Sequence, residues 1–211
     1  MKRIWVYFAA SLAGLLLGFL NVRTTIDYLV RTNSERQVAG FDGWSGNLAI
    51  ARDDQGTLLR AIVARIGLGA NTKEEAIYLT KIRDANGDRL NSAHAYTIQI
   101  AESIPVAAYW SITLYGEDDY LIHNEAGKHA VSSFHDLHTE PDGAILIVLS
   151  KDQPDSEANW IPLPGTAQNL TLTLRCYHPK EEMLTSIESI DFPVVQRLRD
   201  VAELTTAKES E

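Results

Sequence analysis

The chain has 211 residues, 45% of them apolar or aromatic and 22% charged, with 13 Gly and 7 Pro. Those values exclude a disordered chain, a collagen-like repeat and a disulfide miniprotein, and they suit one folded domain with a small addition. A net charge of -9, from 28 acids against 19 Lys and Arg, argues against a nucleic-acid surface, and a single cysteine, Cys176, rules out an intramolecular disulfide or a Cys-pair zinc site.

Lys2 and Arg3 precede an apolar run from Ile4 to Val22 whose only polar members are Ser11 and Asn21. At about 1.5 Å per residue, this run matches the ~30 Å hydrocarbon layer of a bilayer. No small-x-small cleavage site follows Leu17, so residues 1–23 are expected to form an uncleaved signal anchor rather than a removable signal peptide. The positive charge at Lys2 and Arg3 predicts a cytoplasmic N-terminus, a single pass through the cell inner membrane, and a periplasmic bulk. Residues 24–45 are expected to form a juxtamembrane helix or linker. It ends in a turn-rich stretch, Phe41, Asp42, Gly43, Trp44, Ser45, Gly46 and Asn47.

Thr57 is placed to cap a helix whose apolar face is Leu58, Leu59, Ile62, Val63 and Ile66, stopped by Gly67 and Gly69. Thr72 and Glu75 have the spacing of a capping box and predict a second, short helix carrying Ala76, Ile77, Tyr78 and Leu79. After the turn Asp84–Asp88 the apolar period changes to two. Tyr96, Ile98 and Ile100 alternate with polar residues, as do Trp110, Ile112 and Leu114, and Leu170, Leu172, Leu174 and Cys176. Ile145 to Leu149 is continuously apolar and predicts a strand covered on both faces. Short strands are expected at Tyr120–His123 and Ala130–Ser132, and a frayed tail over residues 200–211. The fold class is therefore mainly β with a few helices: an antiparallel, jelly-roll-like sandwich over residues 46–199, preceded by one transmembrane helix.

Motifs of known chemistry are mostly missing. Gly43–Asn47 lacks the second glycine of a nucleophile elbow, and Asp84–Asp88 has its glycine at the wrong position for a calcium loop. No phosphate-binding glycine loop is present. His123, His129, His135 and His138 fall within 16 residues, but their spacing fits neither a helical metal pair nor a zinc finger. No metal and no cofactor is therefore expected. Tyr115, His123, Trp160, Arg175 and Tyr177 form the candidate ligand-binding set, because aromatic walls with a fixed cation suit an anionic or sugar-like ligand. By alternation Tyr115, Arg175 and Tyr177 occupy the polar faces of their strands, and Trp110 faces the other way. The structural alternative is that Trp110 and Trp160 are core and Arg175 pairs with a carboxylate.

Several ordered blocks carry a resemblance: Leu59-Arg60-Ala61 through Ala64–Leu68, Glu75–Tyr78, Asp84–Leu90, Tyr109–Tyr115, Asp142-Gly143, Asn159–Pro162 and Leu172–Pro179. Over residues 46–197 they make the chain similar to the family called domain of unknown function 1214. The resemblance implies a β-rich, jelly-roll-like domain, one often preceded by a second domain of unknown function, 1254, in whose place this chain has the anchor. It carries over no catalytic residue, and Cys176 stands where a leucine-type residue is usual and reads as core.

Two function classes stay open on the residues. One is a tethered envelope module that binds a glycan, a small anionic ligand or an envelope protein partner, without nucleic acid. The other is a hydrolase or lyase of a polysaccharide or related polymer, with Tyr115, His123 and Arg175 as participants.

Overall fold

The computed structural model describes residues 2–33, 42–46, 48, 56–66, 69, 71–101, 103–154 and 158–198. Expectations for Phe41, Asn47, Gly67, the spacer residues 34–36 and the tail lie outside them, as do the side chains of Leu58, Leu59 and Ile66. Two compact units divide the chain: residues 1–37 with 50–70, and residues 38–49 with 71–211.

Among the described residues the first unit holds two helices. Helix α1 (Lys2–Asn33) runs unbroken through the apolar stretch and past Arg23, so residues 24–33 continue it as helix. Its large apolar side chains from Ile4 to Val22 are all exposed, and Arg3–Tyr28 contains an 18-residue stretch with a mean hydropathy of 1.7. A helix apolar all round needs an apolar environment, and this one is long and apolar enough to cross a membrane. Helix α2 spans Thr57–Ile66, with Ile62 buried. The Arg60 N–H donates to the Gly56 carbonyl, so Gly56 takes the capping position expected of Thr57 and Thr57 is the first helical residue.

The second unit is two four-stranded sheets sharing one core. Its strands are β1 (Ala76–Lys81), β2 (Tyr96–Ile100), β3 (Val106–Gly116), β4 (Ala130–Ser132), β5 (Ile145–Ser150), β6 (Asn159–Pro162), β7 (Leu170–Pro179) and β8 (Val194–Arg197). A short helix α3 (Glu181–Thr185) and a single 3-10 turn (Ile187–Ser189) join β7 to β8. One sheet has the order β1-β7-β3-β4 and the other β6-β5-β2-β8. Ile77, Leu79, Ile112, Leu114, Leu172, Leu174 and Cys176 from the first sheet meet Ile98, Ile100, Ile147, Leu149, Ile161 and Val195 from the second in the buried cluster. Ile147, Val148 and Leu149 are buried in succession, so β5 is covered on both faces.

Three sequence expectations need correction. The helix predicted from Thr72 stops after one turn, in which the N–H groups of Glu75 and Ala76 both donate to the Thr72 carbonyl, and Ala76–Lys81 is strand β1. Pairing with β7 outweighs the local cap: Ile77 lies opposite Cys176 and Leu79 opposite Leu174, so period-two burial replaces a helical stripe. Tyr120–His123 makes only a single bridge, Leu121 to Tyr115, rather than a strand. The sheets are also not wholly antiparallel, because β6 pairs parallel to β5, Val148 opposite Trp160.

A strap at Asp42–Gly46 covers the free edge of β1. Ser45 and Thr80 exchange backbone hydrogen bonds of 2.8 and 2.7 Å, and the Trp44 indole N–H donates to the Pro193 carbonyl at 2.8 Å. Trp44 is fully buried, and the buried Lys81 ammonium lies 5.7 Å from its ring centroid and donates to the Asp42 carbonyl. Burial lowers the Lys81 pKa, while the charges of Asp42 and Asp84 oppose that effect. A paired, covered edge removes a template for strand addition.

Candidate functional site

The outer face of the β1-β7-β3-β4 sheet holds three of the five residues singled out from the sequence. Along β7 the apolar residues turn inward, so Thr173, Arg175 and Tyr177 turn outward; along β3 the same rule sends Trp110 inward and Tyr109, Ser111, Thr113 and Tyr115 outward. Because β7 lies between β1 and β3, Arg175 is flanked by Tyr78 on one side and Ser111 on the other.

The guanidinium of Arg175 leans along β3. It donates to the Thr113 hydroxyl at 2.9 Å and to the Tyr115 hydroxyl at 2.7 Å, and its central carbon is 5.5 Å from the Tyr115 ring centroid. Among the described residues both hydrogen-bond partners are neutral, so the carboxylate pairing considered as an alternative is not the arrangement found. A guanidinium has five N–H donors and stays charged, which leaves donor capacity beyond these two bonds.

An aromatic row crosses the strands beside it. Tyr177 stacks on Tyr109, its register partner, with centroids 4.4 Å apart and planes 20° apart. Tyr78 meets Tyr177 edge-on at 6.4 Å, and Phe134, from the segment after β4, lies 4.6 Å from Tyr109. The Tyr177 phenol is pushed above its usual pKa by burial first and then by its neighbours Tyr109 and Tyr78, with Arg175 acting in the opposite direction. Phe134 is 74% exposed, a large apolar ring left open at one end of the row.

The other two candidates lie elsewhere. Trp160 belongs to β6 in the opposite sheet and donates its indole N–H to the Ser150 carbonyl at 3.0 Å. His123 is exposed on the loop beyond the Leu121 bridge, and among the described residues no hydrogen bond joins it to Tyr115 or Arg175. Sequence reasoning missed Tyr78, Tyr109 and Phe134 as members of this face. Tyr109 was legible, since it shares the parity of Tyr115 on β3; Tyr78 was hidden by its assignment to a helix, and Phe134 sits in a segment without periodicity.

Among the described residues no three His, Cys, Asp or Glu side chains are grouped as metal ligands. Cys176 lies buried on the inner face of β7, opposite Ile77 and Trp110, and burial alone pushes its thiol up to about 12. That keeps it protonated and unreactive in the folded core.

The family described as "Protein of unknown function (DUF1214)" matches residues 75–181. No curated protein matches the chain. Among solved structures, the VPA0106 protein of Vibrio parahaemolyticus is similar, with 21% identity and a TM-score of 0.55 over 67% of this chain and 35% of that one. An uncharacterized protein from Burkholderia cenocepacia has 16% identity and a TM-score of 0.47, over 68% of this chain and 34% of its own. The chain therefore spans about a third of the length of these structures. At 21% identity the Vibrio likeness is one of fold alone.

Proposed function

We propose that this chain, which belongs to the DUF1214 family, is a membrane-tethered envelope module that binds an acidic, polyhydroxylated ligand, a glycan foremost, on the outer face of its β1-β7-β3-β4 sheet. The observation that carries this reading is Arg175: a permanent cation on an aromatic face, held by two neutral hydroxyls. Such a group gains most from a carboxylate or other anionic substituent, which its planar fork receives in two parallel hydrogen bonds. The rings of Tyr78, Tyr177, Tyr109 and Phe134 supply the apolar surface that a sugar ring packs against. Tethering is supported by α1, which is long and apolar enough to cross a membrane, and this reading sets Lys2 and Arg3 on the cytoplasmic side of the inner membrane and the sheets in the periplasm. A hydrolase or lyase has less support, since His123 is not drawn to the Arg175–Tyr115 pair.

The test uses the full chain in detergent micelles, with oligogalacturonates as acidic glycans and their methyl esters as neutral counterparts. The acidic oligomers are expected to bind, the esters to bind at least tenfold more weakly, and Arg175→Gln to lose the difference. Arg175→Gln removes two hydrogen bonds from a half-buried side chain and should cost the empty protein about 1–3 kcal/mol, leaving it folded for the comparison. If neither acidic nor neutral oligomers bind, or if Arg175→Gln binds them as the wild type does, the reading fails.

A further inference from the structure

A second surface lies at the edge of the sandwich, where the edge strands β4 and β6 of the two sheets face a common cavity of about 830 Å³. Lys128, His129, His135 and His138 line it, together with Ala130 of β4 and Asn159 of β6. Three of the four clustered histidines, unremarkable as a sequence motif, thus line one open pocket, and His123 is not among them.

Their local hydrogen bonds decide what they offer. The backbone N–H of Ser132 donates to Nδ1 of His135 at 3.3 Å. A backbone amide can only donate, so that Nδ1 is an acceptor, and the proton of the neutral ring is assigned to Nε2. His129 reaches the same state by another route. The Asn124 amide oxygen accepts from the Lys128 N–H at 3.1 Å, which fixes the amide's orientation and leaves its NH2 group, which cannot accept, facing the carbonyls of Lys128 at 3.0 Å and Ile122 at 3.3 Å and Nδ1 of His129 at 3.2 Å. Nδ1 of His129 is then also an acceptor, and its Nε2 carries the proton. His138 is set in place by Asn159, which accepts from its backbone N–H at 3.0 Å and donates to its carbonyl at 2.8 Å.

A metal-binding imidazole has the reverse arrangement, in which one nitrogen donates outward to a carbonyl or carboxylate and the other is left bare for the ion. In His129 and His135 the bare nitrogens are spent on protein donors, and their remaining polar edges are N–H groups. The β4 ladder adds another donor. Leu114 donates to the His129 carbonyl at 2.9 Å, so by antiparallel alternation the N–H of Ala130 points away from β3, toward the open sheet edge. Lys128 contributes a positive charge, and among the described lining residues Asp136 is the one carboxylate.

We infer that this cavity is a binding site for a small anion with several oxygen acceptors, a phosphate or a carboxylate, received by the Nε2–H groups of His129 and His135 and the ammonium of Lys128. It is a different surface from the Arg175 face and does not depend on it.

The full chain in detergent micelles, with ¹⁵N-labelled histidine, tests the inference by NMR. Before any addition, His129 and His135 should both give the Nε2–H tautomer at a pH where they are neutral. Inorganic phosphate and citrate, titrated separately, should shift the ring signals of His129 and His135 saturably; the tighter of the two identifies the source of the acceptor oxygens. His135→Ala should weaken that binding at least tenfold, while Arg175→Gln, which removes the cation of the sheet face, should leave it unchanged. The inference is overturned if neither anion gives a saturable shift, if the rings carry the proton on Nδ1, if His135→Ala binds as the wild type does, or if Zn²⁺ binds through Nε2 and transfers the proton to Nδ1.

Discussion

Ionisation of Cys176 should make the stability of this protein fall steeply in alkali, and by a calculable amount. The thiol is fully buried on β7 between Ile77 and Trp110, and burial raises its pKa from 9.0 to about 12. In the unfolded chain the thiol loses its proton near 9.0, whereas in the folded chain it keeps it until about 12. Between these values the unfolded state binds fewer protons than the folded one, so the free energy of unfolding falls as pH rises; below 9.0 this contribution is fully present and flat. At about 1.4 kcal/mol per tenfold change in the ionisation constant, the whole span is worth about 4 kcal/mol, a large part of the roughly 5–15 kcal/mol that stabilises a domain. The assay is urea unfolding of wild type and Cys176→Ala at a series of pH values between about 8 and 11. Alanine loses the sulfur's packing, about 1 kcal/mol that does not vary with pH. The difference between the two proteins should therefore shift by roughly 3 kcal/mol across the series, to the disadvantage of the wild type at high pH. Lys81, Tyr96 and Tyr177 also have displaced pKa values, but they titrate in both proteins and cancel in the comparison. Parallel stability curves would refute the reasoning, because they would mean that the thiol meets solvent equally in both states.

The strap and the apolar helix α1 give two further tests. Trp44→Phe leaves the Pro193 carbonyl without its donor and should lower stability by about 1–3 kcal/mol. Gly46→Ala should cost at least as much, since its Cβ would stand 2.4 Å from the Tyr78 carbonyl oxygen; wild-type urea midpoints for both variants would show that the strap does not belong to the folded unit. A periplasmic reporter fused at Asp200 should be active and the protein should resist carbonate extraction, whereas activity of a cytoplasmic reporter at the same position would reverse the proposed orientation.

The strands most legible in the sequence were those with one buried face and strict alternation. For β2, β3 and β7, period two alone identified the inward residues, because a half-buried strand must segregate its side chains. The continuous run of β5 announced burial on both faces for the same reason. β1 failed because its signals conflicted: Thr72 and Glu75 form a real helical turn, and Ala76–Leu79 is too short to reveal a period of its own. Its strand character comes from β7, about a hundred residues downstream, which no local window contains. β6 was hidden in the same way. Asn159–Pro162 has only four residues, and it becomes a strand by lying parallel to β5.

The functional residues were legible to a different degree, and strand order explains why. Alternation says that Tyr115, Arg175 and Tyr177 avoid the core; it does not say which strands are neighbours. Only the placement of β7 between β1 and β3, in this register, stacks Tyr177 on Tyr109, brings Tyr78 to its edge and extends Arg175 to Thr113 and Tyr115. The same placement separates Trp160, which was grouped with them by residue type but belongs to the other sheet. The histidines show the converse. Their closeness in sequence was obvious, yet spacing could test them only against known metal patterns. Their chemistry depends on which ring nitrogen is occupied, and that is decided by one backbone amide at Ser132 and one carboxamide at Asn124. A cluster that fails as a metal motif is therefore not thereby inert: when its rings are held as donors around a cavity, the complementary ligand is an acceptor, and the sign of the site follows from the tautomer rather than from the residue type.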